Sequence, residues 1–193
     1  MSREAALHDL FVVRHGATEW SEDGRHTGRT DLPLLPLGED QARTAGHLLA
    51  GHDFALVLTS PLQRARETCA LAGLGERAVV DDDLRELDYG DYEGLTTATI
   101  RETVPGWTVW SHPCPGGETL EQAAARCDRV IARARAADGD VVVFAHGHIL
   151  RILTARWCEM APVEGRRFLL HTATVSCLGY EHAIPAVVRW NAS

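Results

Sequence analysis

The chain has 193 residues, 45% of them hydrophobic and 24% charged, with a formal net charge of −8. That length fits a single domain spanning 1–193, and the acidic balance argues against a nucleic-acid partner, since such proteins carry a basic face. No apolar run approaches the roughly 20 residues of a membrane span, and five scattered cysteines without a CxxC pair exclude a cysteine zinc site and read as reduced cytoplasmic thiols.

The elements alternate in type along the chain. Phe11 to Val13 is a short apolar strand that ends in Arg14-His15-Gly16. A polar loop follows to Pro36, and Leu37 to Ala50 reads as a helix with Ala42, Ala45, Leu48 and Leu49 on one face. Phe54 to Leu58 is a second strand, and proline's preference for a first helical turn makes Pro61 to Leu71 the next helix. Ala78 to Val80 is a short strand before an acidic loop, and Thr97 to Thr103 a short helix stopped by Pro105-Gly106. Glu118 to Ala137 carries the clearest helical period, through Leu120, Ala124, Cys127, Val130, Ile131 and Ala134. Val141 to Phe144 is a strand ending in Ala145-His146-Gly147-His148, Ile149 to Trp157 a helix, and Phe168 to Trp190 strands closing in an antiparallel hairpin. The opening Met1-Ser2-Arg3-Glu4-Ala5 lacks the apolar stretch of a secretory leader, so a cytoplasmic location is expected. Strands alternating with helices define one α/β domain.

Two buried strands that each deliver a His-Gly at the carboxyl end suggest one shared site, because ligands in such sheets bind just beyond those ends. Past the strand end, Arg14 and His15 can both turn into one cleft. A neutral imidazole is a nucleophile, and a guanidinium fork matches phosphate oxygens. Arg64 is a second such cation, in the first turn of the helix after Ser60-Pro61, where anions are favoured. Arg66 lies about 200° around that helix and should face away. Transfer of a phosphoryl group to an imidazole needs a proton donor for the leaving oxygen. Composition leaves Glu86, Asp88 and Glu93 as candidates.

The motifs then fall into a known order. Arg14-His15-Gly16-Ala17-Thr18-Glu19-Trp20 resembles the RHGxTxW signature of the histidine phosphatase (phosphoglycerate mutase-like) superfamily. Thr27 to Leu34, Gly38 with Gln41-Ala42, Ser60 to Thr68, Leu84 to Gly94, Gly116 to Thr119 and Ala145 to His148 resemble its other elements, in sequence, over nearly the whole chain. The resemblance implies a three-layer α/β/α sandwich with a mostly parallel central sheet. It makes His15 the nucleophile, Glu86 the proton donor, and Arg14, Arg64 and His146 the groups that hold the phosphoryl oxygens. Ser21, Thr27, Gly28, Tyr89 and Gly147 would complete the substrate pocket, with the amides of Gly28 and Gly147 contributing. Ser21 stands where many members carry asparagine, and His148 is expected at the pocket rim. Trp20-Ser21, Asp82 to Glu86 and Cys114 to Thr119 are similar, more narrowly, to actinobacterial acid phosphatases and fungal sedoheptulose bisphosphatases.

The expected activity is therefore phosphomonoester hydrolysis, of acid-phosphatase type with broad specificity or on sugar phosphates, through a phosphohistidine and without metal or cofactor. The expected partner is a small phosphorylated metabolite, with no nucleic acid and no membrane, and a homodimer stays open. The main rival is a cofactor-dependent phosphoglycerate mutase, which in the resembling enzymes uses an adjacent arginine pair to hold the substrate carboxylate. Between Gly94 and Glu118 this chain has Arg101 alone, with Trp107, Trp110 and His112, which favours hydrolysis. A catalytically dead binding domain is disfavoured because every catalytic position is filled. Pocket size and specificity are expected to come from the segment Thr96 to Pro115.

Overall fold

The computed structural model describes residues 7–193. Met1 to Ala5, on which the expected absence of a leader rests, lie outside the described residues. Among the described residues no helix is long and apolar enough to cross a membrane. Strands β1 (Leu10–Arg14), β2 (Leu56–Thr59), β3 (Ala78–Val80) and β4 (Val141–Ala145) run parallel, while β5 (Val175–Glu181) and β6 (Ile184–Ala192) form an antiparallel hairpin at one edge. The six form one sheet in the order β3-β2-β4-β1-β5-β6. Alternation along the central strands sorts side chains to two faces. Phe11, Val13, Val142 and Phe144 pack with helices α2 (Pro36–Leu49) and α3 (Gln63–Leu71). Leu10, Val12, Val141 and Val143 pack on the opposite side with α4 (Thr97–Thr103), α5 (Leu120–Arg135) and α6 (Gly147–Trp157). Each of these buried aliphatic and aromatic side chains contributes about 1.5–3 kcal/mol. The result is the three-layer α/β/α sandwich with a mostly parallel sheet.

The register places the site. Arg14 pairs with Ala145, so β1 and β4 finish level. The His15 N–H donates to the Ala145 carbonyl at 2.9 Å, and the Ser60 N–H to the Phe144 carbonyl at 2.9 Å. Three neighbouring strands thus deliver His15, Ser60 and His146 at one edge. Gly16 is required by close approach: a Cβ there would land on the Gly38 carbonyl oxygen, and one at Gly38 would meet Ala17. That contact seats the loop after β1 against the first turn of α2.

Some local expectations are corrected. The loop to Pro36 contains a one-turn helix, α1 (Glu19–Glu22), closed by a capping box between Thr18 and Ser21. The segment from Phe168 is irregular, and strand begins only at Val175. The hairpin then turns through His182 and Ala183, both at positive φ (48° and 68°), as two-residue turns between twisted strands require. Helix α6 starts at Gly147, two residues before the apolar period begins, because a carboxylate from elsewhere in the chain caps it.

Candidate active site

A cavity of about 200 Å³ opens above the ends of β1 and β4. Arg14, His15, Glu86 and Gly147 line its floor, and Ser21 and Thr27 one side. His15 is buried, at 5% exposure. Its Nδ1 lies 2.7 Å from the Gly16 carbonyl oxygen, an acceptor only, so Nδ1 carries the proton and Nε2 keeps its lone pair. Burial pushes the imidazole well below its ordinary pKa, the Arg64 and Arg14 cations push it further, and the Gly16 bond opposes them. His15 is therefore a neutral nucleophile at neutral pH.

Arg14 gives one N–H bond to the Leu170 carbonyl at 2.7 Å, while its buried Nε has no partner among the described residues. Its other terminal nitrogen, Nη2, has no partner among the described residues and is not sealed off, so it is the group that can donate to an anion beside the nucleophile. Arg64 differs. It is wholly buried, and its Nε donates to His146 Nδ1 at 3.1 Å, while its terminal nitrogens hold the carbonyls of Thr30, Thr27 and Gly28 at 2.9, 3.0 and 3.2 Å. Four of its five N–H groups are thus engaged within the protein. Arg66, two residues on, is exposed, as the helix geometry predicts.

His146 lies behind His15, with ring centroids 5.2 Å apart. Because Arg64 donates to its Nδ1, its Nε2 bears the proton and donates to Ser60 Oγ at 2.7 Å. A contact from His146 to a phosphoryl oxygen therefore requires the Ser60 bond to be shared or given up. Burial, followed by the charge of Arg64, holds its pKa well below the ordinary value.

Glu86 accepts from the N–H groups of Leu87 and Ile149 on Oε1 (both 2.9 Å) and of His148 on Oε2 (3.0 Å). It thus caps the N-terminus of α6, which fixes the carboxyl group. A Cβ on Gly147 would sit 3.5 Å from Arg14 Nε and 3.7 Å from Glu86 Oε2, so this glycine keeps the space between them open.

Of four further expected pocket residues, Ser21, Thr27 and Tyr89 line the cavity and Gly28 does not, and each has its polar group engaged within the protein. The Gly28 N–H donates to both oxygens of Glu93 at 3.0 Å and so is not offered to a ligand. Ser21 lines the cavity, but its hydroxyl donates to the Thr18 carbonyl at 2.9 Å, closing the α1 cap. Thr27 donates its hydroxyl to the Arg25 carbonyl at 3.2 Å. Tyr89 is buried in the cavity wall, and its hydroxyl meets His148 Nδ1 at 2.6 Å. Asp88 pairs with Arg29, away from the floor, and Glu93 serves the Gly28 loop, so Glu86 alone of the three acidic candidates lines the cavity.

The walls also contain residues that the motifs did not reveal. Arg25, His26, Arg151, Leu169 and Leu170 line the mouth. Arg151 was within reach of sequence reasoning, since it falls three residues after His148 on one helix face. No residue of Thr96 to Pro115 lines the cavity. That segment acts from behind: Trp110 packs on His148 (5.3 Å) and under the Arg151 guanidinium (4.6 Å), and Trp107 on His26 (5.2 Å). Arg101 donates to the Trp107 carbonyl at 2.8 Å and does not reach the cavity. No cluster of three or more His, Cys, Asp or Glu side chains suited to a metal exists among the described residues.

A parallel sheet whose strand ends present a neutral histidine, an unpartnered arginine N–H and a capped carboxyl defines a phosphoryl-handling α/β enzyme. The histidine phosphatase superfamily (branch 1) model matches residues 10–193, and the chain belongs to that family. An acid phosphatase of Mycobacterium tuberculosis is 43% identical over 181 residues, covering 92% of this chain and 89% of the relative. The sedoheptulose 1,7-bisphosphatase of Saccharomyces cerevisiae is 41% identical over 179 residues, covering 76% of this chain and 66% of that protein. The solved structure of a functionally characterised open reading frame from Mycobacterium tuberculosis superposes with a TM-score of 0.92 at 40% identity, covering 96% of this chain and 98% of the other. The protein is a phosphatase that acts through a histidine.

Proposed function

We propose that the protein hydrolyses small phosphomonoesters, sugar phosphates among them, through a phosphohistidine on His15. The observation that carries this reading is the shared cavity of His15, whose Nε2 keeps a lone pair, the unpartnered Nη2 of Arg14, and Glu86. His15 Nε2 attacks phosphorus as the bond to the ester oxygen breaks, and Glu86 gives its proton to that oxygen. Water then attacks the phosphorus, the bond to Nε2 breaks, and the Glu86 carboxylate takes the proton of the water. Inorganic phosphate leaves and His15 returns neutral. Arg14 meets the charge on the transferring oxygens. Arg64, through its remaining N–H, and His146, by sharing its Ser60 bond, complete that field. Two cations and the N-terminal end of α6 supply positive charge without a metal. The relatives described as an acid phosphatase and a bisphosphatase support this chemistry, the five free cysteines support work in a reducing cytoplasm, and the one continuous six-stranded sheet supports a single domain.

Hydrolysis is favoured over mutase action because Arg101 is turned away and no other arginine lies between Gly94 and Glu118. Rapid acid quench with labelled substrate should trap an acid-labile, base-stable phosphoryl group in wild type and none in His15→Ala. NMR of 3-phosphoglycerate incubations, with 2,3-bisphosphoglycerate present, should show free phosphate or no reaction. Isomer exchange faster than phosphate release would mean a mutase, and label on a serine would end the phosphohistidine mechanism.

A further inference from the structure

His148 is not needed for the transfer chemistry, yet it is held with unusual care. Its backbone N–H is tied to Glu86 Oε2, and the residue lines the cavity together with that carboxyl group, the proposed donor to the leaving oxygen. Its Nδ1 lies 2.6 Å from the Tyr89 hydroxyl. Tyr89 is 1% exposed, and its hydroxyl has no other partner among the described residues. A buried phenol left without a bond is costly, so Tyr89 donates to Nδ1. Burial, and then the Glu86 charge, push that phenol well above its ordinary pKa, which keeps the donor proton in place. Burial, followed by Arg151, His26 and Arg14, pushes His148 well below its own, which keeps the ring neutral.

A neutral imidazole that accepts at Nδ1 must carry its proton on Nε2. That N–H has no partner among the described residues and is not sealed off, and His148 lines the cavity. Aromatic groups surround it. Trp110 lies at 5.3 Å, and His26 at 6.0 Å from the ring and 4.8 Å from Tyr89. Arg151 is anchored on Trp110 and by bonds to the Gly165 and Arg166 carbonyls, both at 3.1 Å. The rings behind His148 hold it in place, and its single directed donor, facing the cavity beside Glu86, suits a hydroxyl oxygen of a polyol or sugar.

We propose that His148, fixed by Tyr89 as the Nε2–H tautomer, donates a hydrogen bond to a hydroxyl of the leaving group and so selects polyol and sugar phosphates over unsubstituted alkyl phosphates. This rests on the phosphohistidine reading and names the residue that reads its substrate. His148 is here a specificity-determining residue, and Tyr89 a positioning one.

The test is the ratio of kcat/KM for glycerol 3-phosphate to that for propyl phosphate, which share the reacting group and differ in hydroxyls. The ratio should fall about tenfold in His148→Phe, the scale of one hydrogen bond to a neutral partner. His148→Gln, which keeps an N–H donor, should hold it within about threefold, and Tyr89→Phe should give an intermediate loss. Nitrogen-15 NMR of the wild-type imidazole should show the proton of His148 on Nε2, with the Nδ1–H form gaining in Tyr89→Phe. Equal losses on both substrates in His148→Phe, with the ratio unchanged, would place His148 on the phosphoryl group and overturn the proposal. So would a proton found on Nδ1 in the wild type. Failure to trap label on His15 with either substrate would instead defeat the mechanism, independently of the ratio.

Discussion

The ends of β1 and β4 carry similar residues and do different work. At the end of β1, His15 keeps a lone pair and Arg14 a terminal nitrogen, Nη2, that no described protein group satisfies. At the end of β4, His146 has both nitrogens engaged, and its partner Arg64 holds three backbone carbonyls of the Thr27 to Thr30 loop. One end is left with unmet hydrogen-bonding capacity that a phosphoryl group can satisfy. The other is a support that fixes the loop and backs the first histidine. Residue type therefore does not separate ligand contacts from scaffold here. The count of hydrogen bonds each group already makes does.

The sharpest way to break that contrast is to compare the arginines. Arg14→Ala should lower kcat by roughly 10²- to 10³-fold, the cost of removing one preorganised donor. Its melting temperature should move little, because Arg14 makes one protein bond. Arg64→Ala should also lose activity, but with a loss of stability of about 2–4 kcal/mol, since it leaves a cavity and buried carbonyls unpaired. Arg66→Ala should be nearly silent in both. Chemical denaturation read beside steady-state kinetics separates the cases. If Arg14→Ala destabilises as much as Arg64→Ala, the division between ligand contact and support is wrong.

Glu86 joins the two ends, because it caps α6 and faces the cavity. Glu86→Gln should lower kcat on glycerol 3-phosphate by roughly 10²-fold and on p-nitrophenyl phosphate by far less, since a nitrophenolate needs little protonation to leave. Paired kinetics on the two substrates check this. Equal losses would show that Glu86 contributes only by capping and that the proton comes from elsewhere.

The strand ends were legible in the sequence because buried parallel strands read as unbroken apolar runs, and Arg14-His15-Gly16 and His146-Gly147 sit where those runs stop. Helical geometry put Arg64 and Arg66 on opposite faces, and the first-turn position of Arg64 beside Arg14 and two histidines chose the inward one. The hydrogen-bond state of each group was not legible. The Gly28 amide goes to Glu93 and the Ser21 hydroxyl to Thr18, through contacts that only the folded loops create. The mouth was the least legible part. Arg25, His26, Arg151 and Leu169 converge from segments far apart in the chain, and no local pattern marks them as neighbours. The Thr96 to Pro115 segment was expected to set pocket size and specificity, and none of its residues lines the cavity. Its tryptophans turn inward because large rings gain most from burial, leaving His148 and Arg151 to form the surface.

The smallest effect concerns stability rather than turnover, and it tests whether both ends are buried as neutral imidazoles. His15, His146 and His148 are all held well below the 6.5 of a free imidazole, in each case by burial first and neighbouring cations second. Lowering the pH through 6.5 therefore protonates the unfolded chain while the folded one stays neutral, so stability is present above that range and declines as pH falls. Between pH 7 and pH 6 an unfolded imidazole is on average half-protonated. Each of the three then withdraws about 0.7 kcal/mol, half of the 1.4 kcal/mol that a full pH unit carries. Asp83, held low by hydrogen bonds from Arg129 and Arg133, weakens the fold only at much lower pH, so the two windows do not overlap. Urea unfolding at pH 7.0, 6.5 and 6.0 should show the decline, to which His26, also lowered by burial, adds, and His148→Gln should reduce its slope by roughly a quarter to a third. Stability that stays flat from pH 7 to pH 6 would mean that these rings take up protons in the folded state. His15 would then have to lose a proton before it could attack phosphorus, and turnover would fall with acid where the structure has it persist.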